Sequence, residues 1–185
     1  MNPTNQKITF LRLTEDDLSL LTDWLHRPHV IEWWSGGDVA PDLESVRRKY
    51  RPRMVSTSHI EPYIAYLDTE PLGFIQSYVA VRCGEGWWEN EVDLGVLGID
   101  QFLCDGTRLG QGLGSKMVNA FAQELFIDPS VTTVQTDPNP KNARAIRCYE
   151  KAGFQAVREV NTPDGPALLM AMVKASQLRN KTTDS

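Results

Sequence analysis

Leu109-Gly110-Gln111-Gly112-Leu113-Gly114-Ser115-Lys116 is the stretch on which the reading of this chain turns. Its alternate glycines let the backbone bend sharply and leave the N–H groups uncovered. Directly after them Leu113, Met117, Phe121 and Leu125 recur every four residues, with Val118 beside them, as one buried helical face requires. A glycine turn that opens a helix offers free N–H donors and the positive end of the helix dipole, and both favour a phosphate. Taken alone, the pattern is better read as an ordinary glycine-rich loop. It is not a Walker loop, because no Gly-Lys-Ser/Thr follows a four-residue spacer. A dinucleotide fold would want such a turn near the chain start, with a ribose-binding acid further on. Here it comes late.

Working outward, the helix stops at Pro129, and Val131-Thr132-Thr133-Val134-Gln135-Thr136 reads as a short strand. Residues 142–152 form a helix closed by Gly153. Strands at 155–161 and 167–173 flank the turn Thr162-Pro163-Asp164-Gly165-Pro166. Upstream, residues 8–13 read as a strand, and Thr14 caps a helix through Asp17, with Leu18, Leu21 and Trp24 at helical spacing. Pro28 is expected to end that helix or to follow it closely. A second helix covers 43–50, followed by Pro52. A hairpin joins 63–67 to 71–81 through Asp68-Thr69-Glu70. After a loop with Gly84, Gly86, Trp87 and Trp88, a strand is expected at 92–99. Gly95 and Gly98 there imply a bulge or the close approach of a ligand. The order is βαα-βββ-αβαββ, and its strand-helix-strand centre implies parallel neighbours joined by a right-handed crossover.

The chain has 185 residues, 41% hydrophobic and 23% charged, the balance of one globular domain with a single core. Neither a repeat nor a linker divides it, so residues 1–185 read as one domain, ordered over about 8–174 with a polar tail at 176–185. The formal charge of −5 argues against nucleic acid and weakly suits a cationic substrate. No apolar run is long enough for a bilayer, and the N-terminus lacks the apolar core of a secretory signal, so a cytoplasmic protein without membrane attachment is expected. Cys83, Cys104 and Cys148 are widely spaced and suggest free thiols. His26, His29 and His59 read as surface residues, and no metal site is expected.

A second block is Asn142-x-x-Ala145-x-x-x-Tyr149-Glu150-Lys151-x-Gly153-Phe154, in which Ala145, Cys148, Tyr149 and Ala152 share a helical face. Together the two blocks resemble the GNAT superfamily of acetyl-CoA-dependent N-acetyltransferases. The family's pyrophosphate loop has the form (Gln/Arg)-x-x-Gly-x-(Gly/Ala). This chain departs from it at Leu109, with Arg108 one place earlier, so the backbone cradle is kept and one side-chain contact is not. Further blocks are similar to the aminoglycoside 6'-N-acetyltransferases of the type Ib/II group. They are Glu32-Trp33-Trp34, Pro62-Tyr63-Ile64-Ala65, Gln76-Ser77-Tyr78-Val79-Ala80, Gly86-Trp87-Trp88-Glu89, Gly98-Ile99-Asp100-Gln101, Gln135-Thr136-Asp137-Pro138, the run from Arg144 to Phe154, and Thr162-Pro163-Asp164-Gly165-Pro166-Ala167.

The resemblance implies an α/β (α+β) fold with a mixed sheet of about seven strands, flanking helices, and central parallel strands that splay apart. It implies acetyl-CoA as co-substrate, held by Leu109, Gly110, Gln111, Gly112, Leu113, Gly114, Ser115, Asn142 and Tyr149. Asp100 and Asp137 are expected at the carboxyl ends of two strands, where ligands of open α/β sheets bind. By resemblance, Asp100 takes the proton from the attacking amine and Tyr149 protonates the departing thiolate. Asp137, Glu85 and Asp164 would bind further ammonium groups, Gln76 and Tyr78 would add polar contacts, and Trp34, Trp87 and Trp88 would line the acceptor site. Asp164-Gly165 is also a turn signal in its own right, and the tryptophans also suit a core. Adjacent tryptophans cannot both face inward on a strand, so one of Trp87 and Trp88 is expected at a surface or pocket.

In the related group, fluoroquinolone acetylation accompanies Arg at the position of Trp87 and Tyr at that of Asp164. This chain has neither change. Phe102 is expected where that group's amikacin or gentamicin preference is set, and its size leans toward amikacin. The acceptor is thus expected to be a small-molecule aminoglycoside, the protein a monomer or weak dimer. The alternatives are a polyamine, peptide or hydroxamate-type amine as acceptor, or an acyl-CoA sensor without catalysis, against which Asp100 and Tyr149 speak.

Overall fold

The computed structural model describes residues 6–34, 39–88 and 90–175. Along them run β1 (Ile8–Arg12), α1 (Leu18–Leu25), α2 (Pro28–Trp34), α3 (Leu43–Tyr50), β2 (Ile60–Leu67), β3 (Glu70–Val79) and β4 (Val96–Leu103). After these come α4 (Leu113–Leu125), β5 (Thr133–Thr136), α5 (Ala143–Ala152), β6 (Gln155–Thr162) and β7 (Gly165–Val173). The strands form a seven-stranded sheet in the order β1-β2-β3-β4-β5-β7-β6. It is mixed: β4 and β5 run parallel, while β1 with β2, β5 with β7 and β6 with β7 run antiparallel. The expected fold class holds. The polar tail at 176–185 lies outside the described residues.

Contacts gather the chain into two compact units, residues 1–76 with 101–117, and 77–100 with 118–185. In the first, the Thr14 N–H and hydroxyl both donate to the Asp17 carboxylate, at 2.8 and 2.7 Å, and start the helical segment as its sequence demands. Helix α1 then buries Leu18, Leu21, Trp24 and Leu25. They meet Val46 and Tyr50 of α3, Phe74 of β3 and Phe102 of β4 in one apolar cluster. Its rings interlock: Phe102 stacks on Phe74 at 5.5 Å, and Tyr50 meets Phe74 edge-on. Pro28 does not merely end α1. It takes the first position of α2, where the missing N–H costs nothing and the fixed φ already suits a helix. The helix so added carries Trp33 and Trp34.

In the second unit, β4 is displaced from its expected span by four residues. The Asp93 carboxylate accepts from the Gly95 N–H at 2.7 Å and the Thr132 hydroxyl at 2.9 Å, which folds 92–95 into a turn with Val92 and Leu94 exposed. Asp100 therefore lies inside β4 rather than at its end. The parallel ladder nevertheless runs only from Val96↔Thr133 to Gly98↔Gln135. Gly95 and Gly98 answer to packing, not to a ligand: a Cβ would sit 2.3 Å from the Ser130 carbonyl oxygen at the first and 2.0 Å from the Tyr78 ring at the second. Helix α5 closes as read, with Asn142 at its start and Gly153 in the left-handed region at φ 106° behind it.

Gly98→Ala should lower the free energy of unfolding by about 1–3 kcal/mol, because the Tyr78 ring must move. A urea titration compared with wild type measures this, and an unchanged midpoint would remove Tyr78 from its place against Gly98.

Candidate active site

The glycine turn belongs to the first unit. Gly110 and Gly112 take φ of 76° and 80°, where other residues are strained, and open space lies where a Cβ would stand on either. The Gly112 carbonyl accepts from the Lys116 N–H at 3.1 Å, so the N–H groups of Leu113, Gly114 and Ser115 precede the first bonded turn of α4. Those donors, with Arg108 and Lys116 alongside in sequence, fit a pyrophosphate. Gln111 is turned back onto its own loop, its amide donating to the Thr107 carbonyl at 3.1 Å. Leu109 packs against the apolar cluster that Ala65, Leu67, Leu72, Leu103, Leu113 and Met117 form, so the residue that departs from the family pattern is an apolar anchor of the loop. Asn142, in the second unit, uses its side-chain oxygen to cap α5, accepting from the Ala145 N–H at 3.0 Å.

The acids gather in the second unit. Asp100 and Asp137 each stand two residues beyond the last ladder pair, so period two places them on the face of Gly98 and Gln135. The Tyr78 hydroxyl donates to Asp137. Burial, then the charges of Asp100 and Asp164, push the Asp137 carboxyl up to about 8. Among the described residues no cation offsets these charges at Asp137. Burial, then the charges of Asp100 and Asp137, raise the Tyr78 phenol well above its ordinary value, with smaller contributions from Cys83 and Tyr149. Tyr149 is itself buried, on α5, with its ring edge-on to Phe154 at 5.6 Å. Asp100, Asp137, Asp164, Tyr78 and Tyr149 thus form one electrostatic neighbourhood. Cys83 was read as an ordinary thiol. It is free, and it shares this neighbourhood, where burial and then Asp100 and Asp137 push it to about 12.

Trp87 and Trp88 lie in a turn, not on a strand, so alternation does not decide which faces inward. Trp88 adopts φ 43°, a left-handed conformation that costs a residue of its size about 1–3 kcal/mol. Its ring stands 6.0 Å from that of Trp87, and Gly86 is pressed against the Pro163 ring of the β6–β7 turn. Trp88 and Gln135 both line a cavity of about 440 Å³ that extends over β6 to Arg158 and Glu159. Asp164 sits exposed in that β6–β7 turn, and Glu85 is exposed in the turn before Trp87.

Trp34 and Gln76 are built into the first unit. Trp34 meets Phe74 and Phe102 edge-on at 5.6 and 5.0 Å, and Gln76, 6% exposed, accepts from Arg53 at 3.0 Å. Phe102, expected to bear on drug preference, is buried in that aromatic core. Arg53 and Gln135 escaped the sequence reading. Gln135 carried a signal, since it lies two residues before Asp137 and so on the same face of its strand.

A family model described as an acetyltransferase (GNAT) domain matches residues 14–162. The chain is 49% identical over 179 residues, 97% of its length and 89% of the other protein, to an aminoglycoside N(6')-acetyltransferase type 1 of Klebsiella pneumoniae. A solved structure of AAC(6')-Ib in complex with ribostamycin and coenzyme A superposes with a TM-score of 0.88 at 50% identity, covering 94% of this chain and 97% of that one. Another, with coenzyme A and kanamycin, gives 0.86 at 48% identity, covering 95% and 99%. The chain belongs to the GNAT acetyltransferases and, within them, to the aminoglycoside 6'-N-acetyltransferase family.

Because Asp137 holds its proton more tightly folded than unfolded, stability is lost as pH rises from its ordinary 3.8 toward about 8. Asp137→Asn should therefore melt higher than wild type at pH 8, with the gap narrowing toward pH 4. Thermal melts across that range measure it, and parallel curves would show that Asp137 carries no such burden.

Proposed function

We propose that this protein transfers the acetyl group of acetyl-CoA to the 6'-amino group of aminoglycosides, which inactivates these drugs. The observation that carries the reading is the cluster of Asp100, Asp137 and Asp164 with no cation among the described residues to offset it at Asp137. An aminoglycoside brings several ammonium groups on one rigid frame. A peptide or hydroxamate acceptor has no use for so many carboxylates. The relatives crystallised with kanamycin and with ribostamycin support the same acceptor class.

Acetyl-CoA, when bound, supplies an acetyl group activated as a thioester. The N–H groups at 113–115 and the turn before them bind its pyrophosphate, with Leu109 anchoring the loop from below. An ammonium is no nucleophile, so the acceptor nitrogen must lose a proton, and Asp100 takes it at a carboxylate oxygen. Asp137 draws in a neighbouring ammonium, and its raised proton affinity falls as that cation arrives. Tyr78 fixes the Asp137 carboxylate by donating to it. Too reluctant to ionise to be the base, its phenol serves orientation. As the thioester C–S bond breaks, Tyr149 gives its phenolic proton to the departing thiolate, the counterpart of the proton taken at Asp100. Glu85 and Asp164 meet outer ammonium groups, and Trp87 and Trp88 complete the acceptor site. Holding amine and thioester together supplies much of the rate. The working compartment is the cytoplasm, in keeping with three free thiols.

Acetyl-CoA consumption with kanamycin, gentamicin, spermidine, a lysine peptide and a fluoroquinolone should show the aminoglycosides turned over fastest and the fluoroquinolone not at all. Asp100→Asn should lower kcat/KM by on the order of 10²–10⁴-fold, and Tyr149→Phe by a smaller factor, since a thiolate leaves well unaided. Preference for spermidine or the peptide would overturn the acceptor class. A near wild-type rate for Asp100→Asn at neutral pH would overturn the base.

A further inference from the structure

The cavity over β5, β6 and β7 has chemistry that the acid cluster does not explain. Gln135 is 5% exposed and its side-chain nitrogen has no hydrogen-bond partner; the indole nitrogen of Trp88 is likewise buried and unpartnered. Both residues line the cavity. An indole N–H is a donor and nothing else, and an amide nitrogen likewise only donates. Buried donors of this kind are rare in folded proteins and call for an acceptor oxygen. Ammonium groups, the currency of Asp100 and Asp137, offer none. The cavity's volume of about 440 Å³ lies within the range of about 300–1,000 Å³ typical of small-ligand sites.

Its placement gives it direction. At its β5 end stands Gln135, two residues before Asp137 in the chain. The cavity then runs away from β4 toward the sheet edge, where a bulge between Ala156 and Arg158 interrupts the β6–β7 register. Arg158 adds a further donor to its lining, and Glu91 and Glu159 add acceptors that suit the hydrogens of sugar hydroxyls.

We propose that this cavity is a hydroxyl-reading subsite for the part of the acceptor farthest from the reacting amine. Gln135 and the Trp88 indole donate to oxygens of an uncharged sugar ring. The proposal rests on the aminoglycoside reading above. It makes Gln135 a specificity residue that acts on binding and not on the proton transfer.

Neamine and ribostamycin provide the test, because they share the rings that carry the amines and differ by a ribose with hydroxyls alone. The wild-type protein should prefer ribostamycin through a lower KM at similar kcat. Gln135→Leu, which removes the donor and keeps the bulk, should shrink the ribostamycin-over-neamine ratio of kcat/KM by about tenfold, the worth of one well-placed hydrogen bond. Trp88→Phe should shrink it in the same direction. Thermal melts provide the control for folding, and Gln135→Leu should melt no lower than wild type, since it removes an unsatisfied buried donor. A wild-type ratio near one, or a ratio unmoved by both substitutions in folded protein, would overturn the subsite while leaving the acetyltransferase reading intact. Failure of the wild-type protein to acetylate either compound would instead sink that reading.

Discussion

The ring of Tyr78 lies where a Cβ on Gly98 would be, and its hydroxyl reaches the Asp137 carboxylate. This contact requires the glycine on β4, and it occurs where the parallel ladder of β4 and β5 has its last pair. Beyond that pair the two strands no longer exchange hydrogen bonds, and each presents an aspartate at the same register. Period two thus carries both acids to the face of Gly98 and Gln135. Burial and the neighbouring charges raise the proton affinity of Asp137, which is the electrical state a cationic ligand relieves.

Most of the fold was legible because its punctuation is chemical. Thr14 with Asp17, Asn142 with Gly153, and the Asp164-Gly165 turn each fixed a boundary through a local hydrogen bond or a required backbone sign. The errors came where a side chain served something other than its own segment. Pro28 reads as a stop, yet at the first position of a helix its fixed φ is an advantage, and α2 follows from a fact that local spacing does not contain. Val92 and Leu94 carry strand propensity, but Asp93 binds Gly95 and Thr132 and draws that stretch into a turn. Gly98 invited a ligand in sequence, whereas the occupant is Tyr78, twenty residues earlier in the chain and visible only after the strands pair.

The site was legible in its residue types more than in its grouping. The acids were named from resemblance, and the structure supplies their common face, the proton affinity of Asp137 and the bond from Tyr78. Asn142 was expected to serve the co-substrate, but its side-chain oxygen caps α5. Leu109 looked like a defect in the glycine turn, and its packing on the apolar cluster that includes Leu103 and Leu113 shows what replaced the missing contact. Gln135 was passed over although its place two residues before Asp137 was visible in the sequence. Only burial without a partner makes it conspicuous.

Groups of two kinds therefore lie in the second unit, and their difference is informative. Asp137 is pressed by the charges of Asp100 and Asp164, whereas the side-chain nitrogens of Gln135 and Trp88 lack an acceptor. A ligand with ammonium groups alone would satisfy the first and leave the second costly; a neutral sugar would do the reverse. Each buried donor left unmade costs about 1–3 kcal/mol, and Trp88 bears backbone strain besides. A fold would have little reason to retain both deficits unless one molecule met them together. An amino sugar linked to a hydroxylated ring does so, with its cationic end at Asp100 and Asp137 and its neutral end along β6. The two ends of the acceptor are thus matched separately, the cationic one by Asp100 and Asp137 and the hydroxylated one by the donors of Gln135 and Trp88.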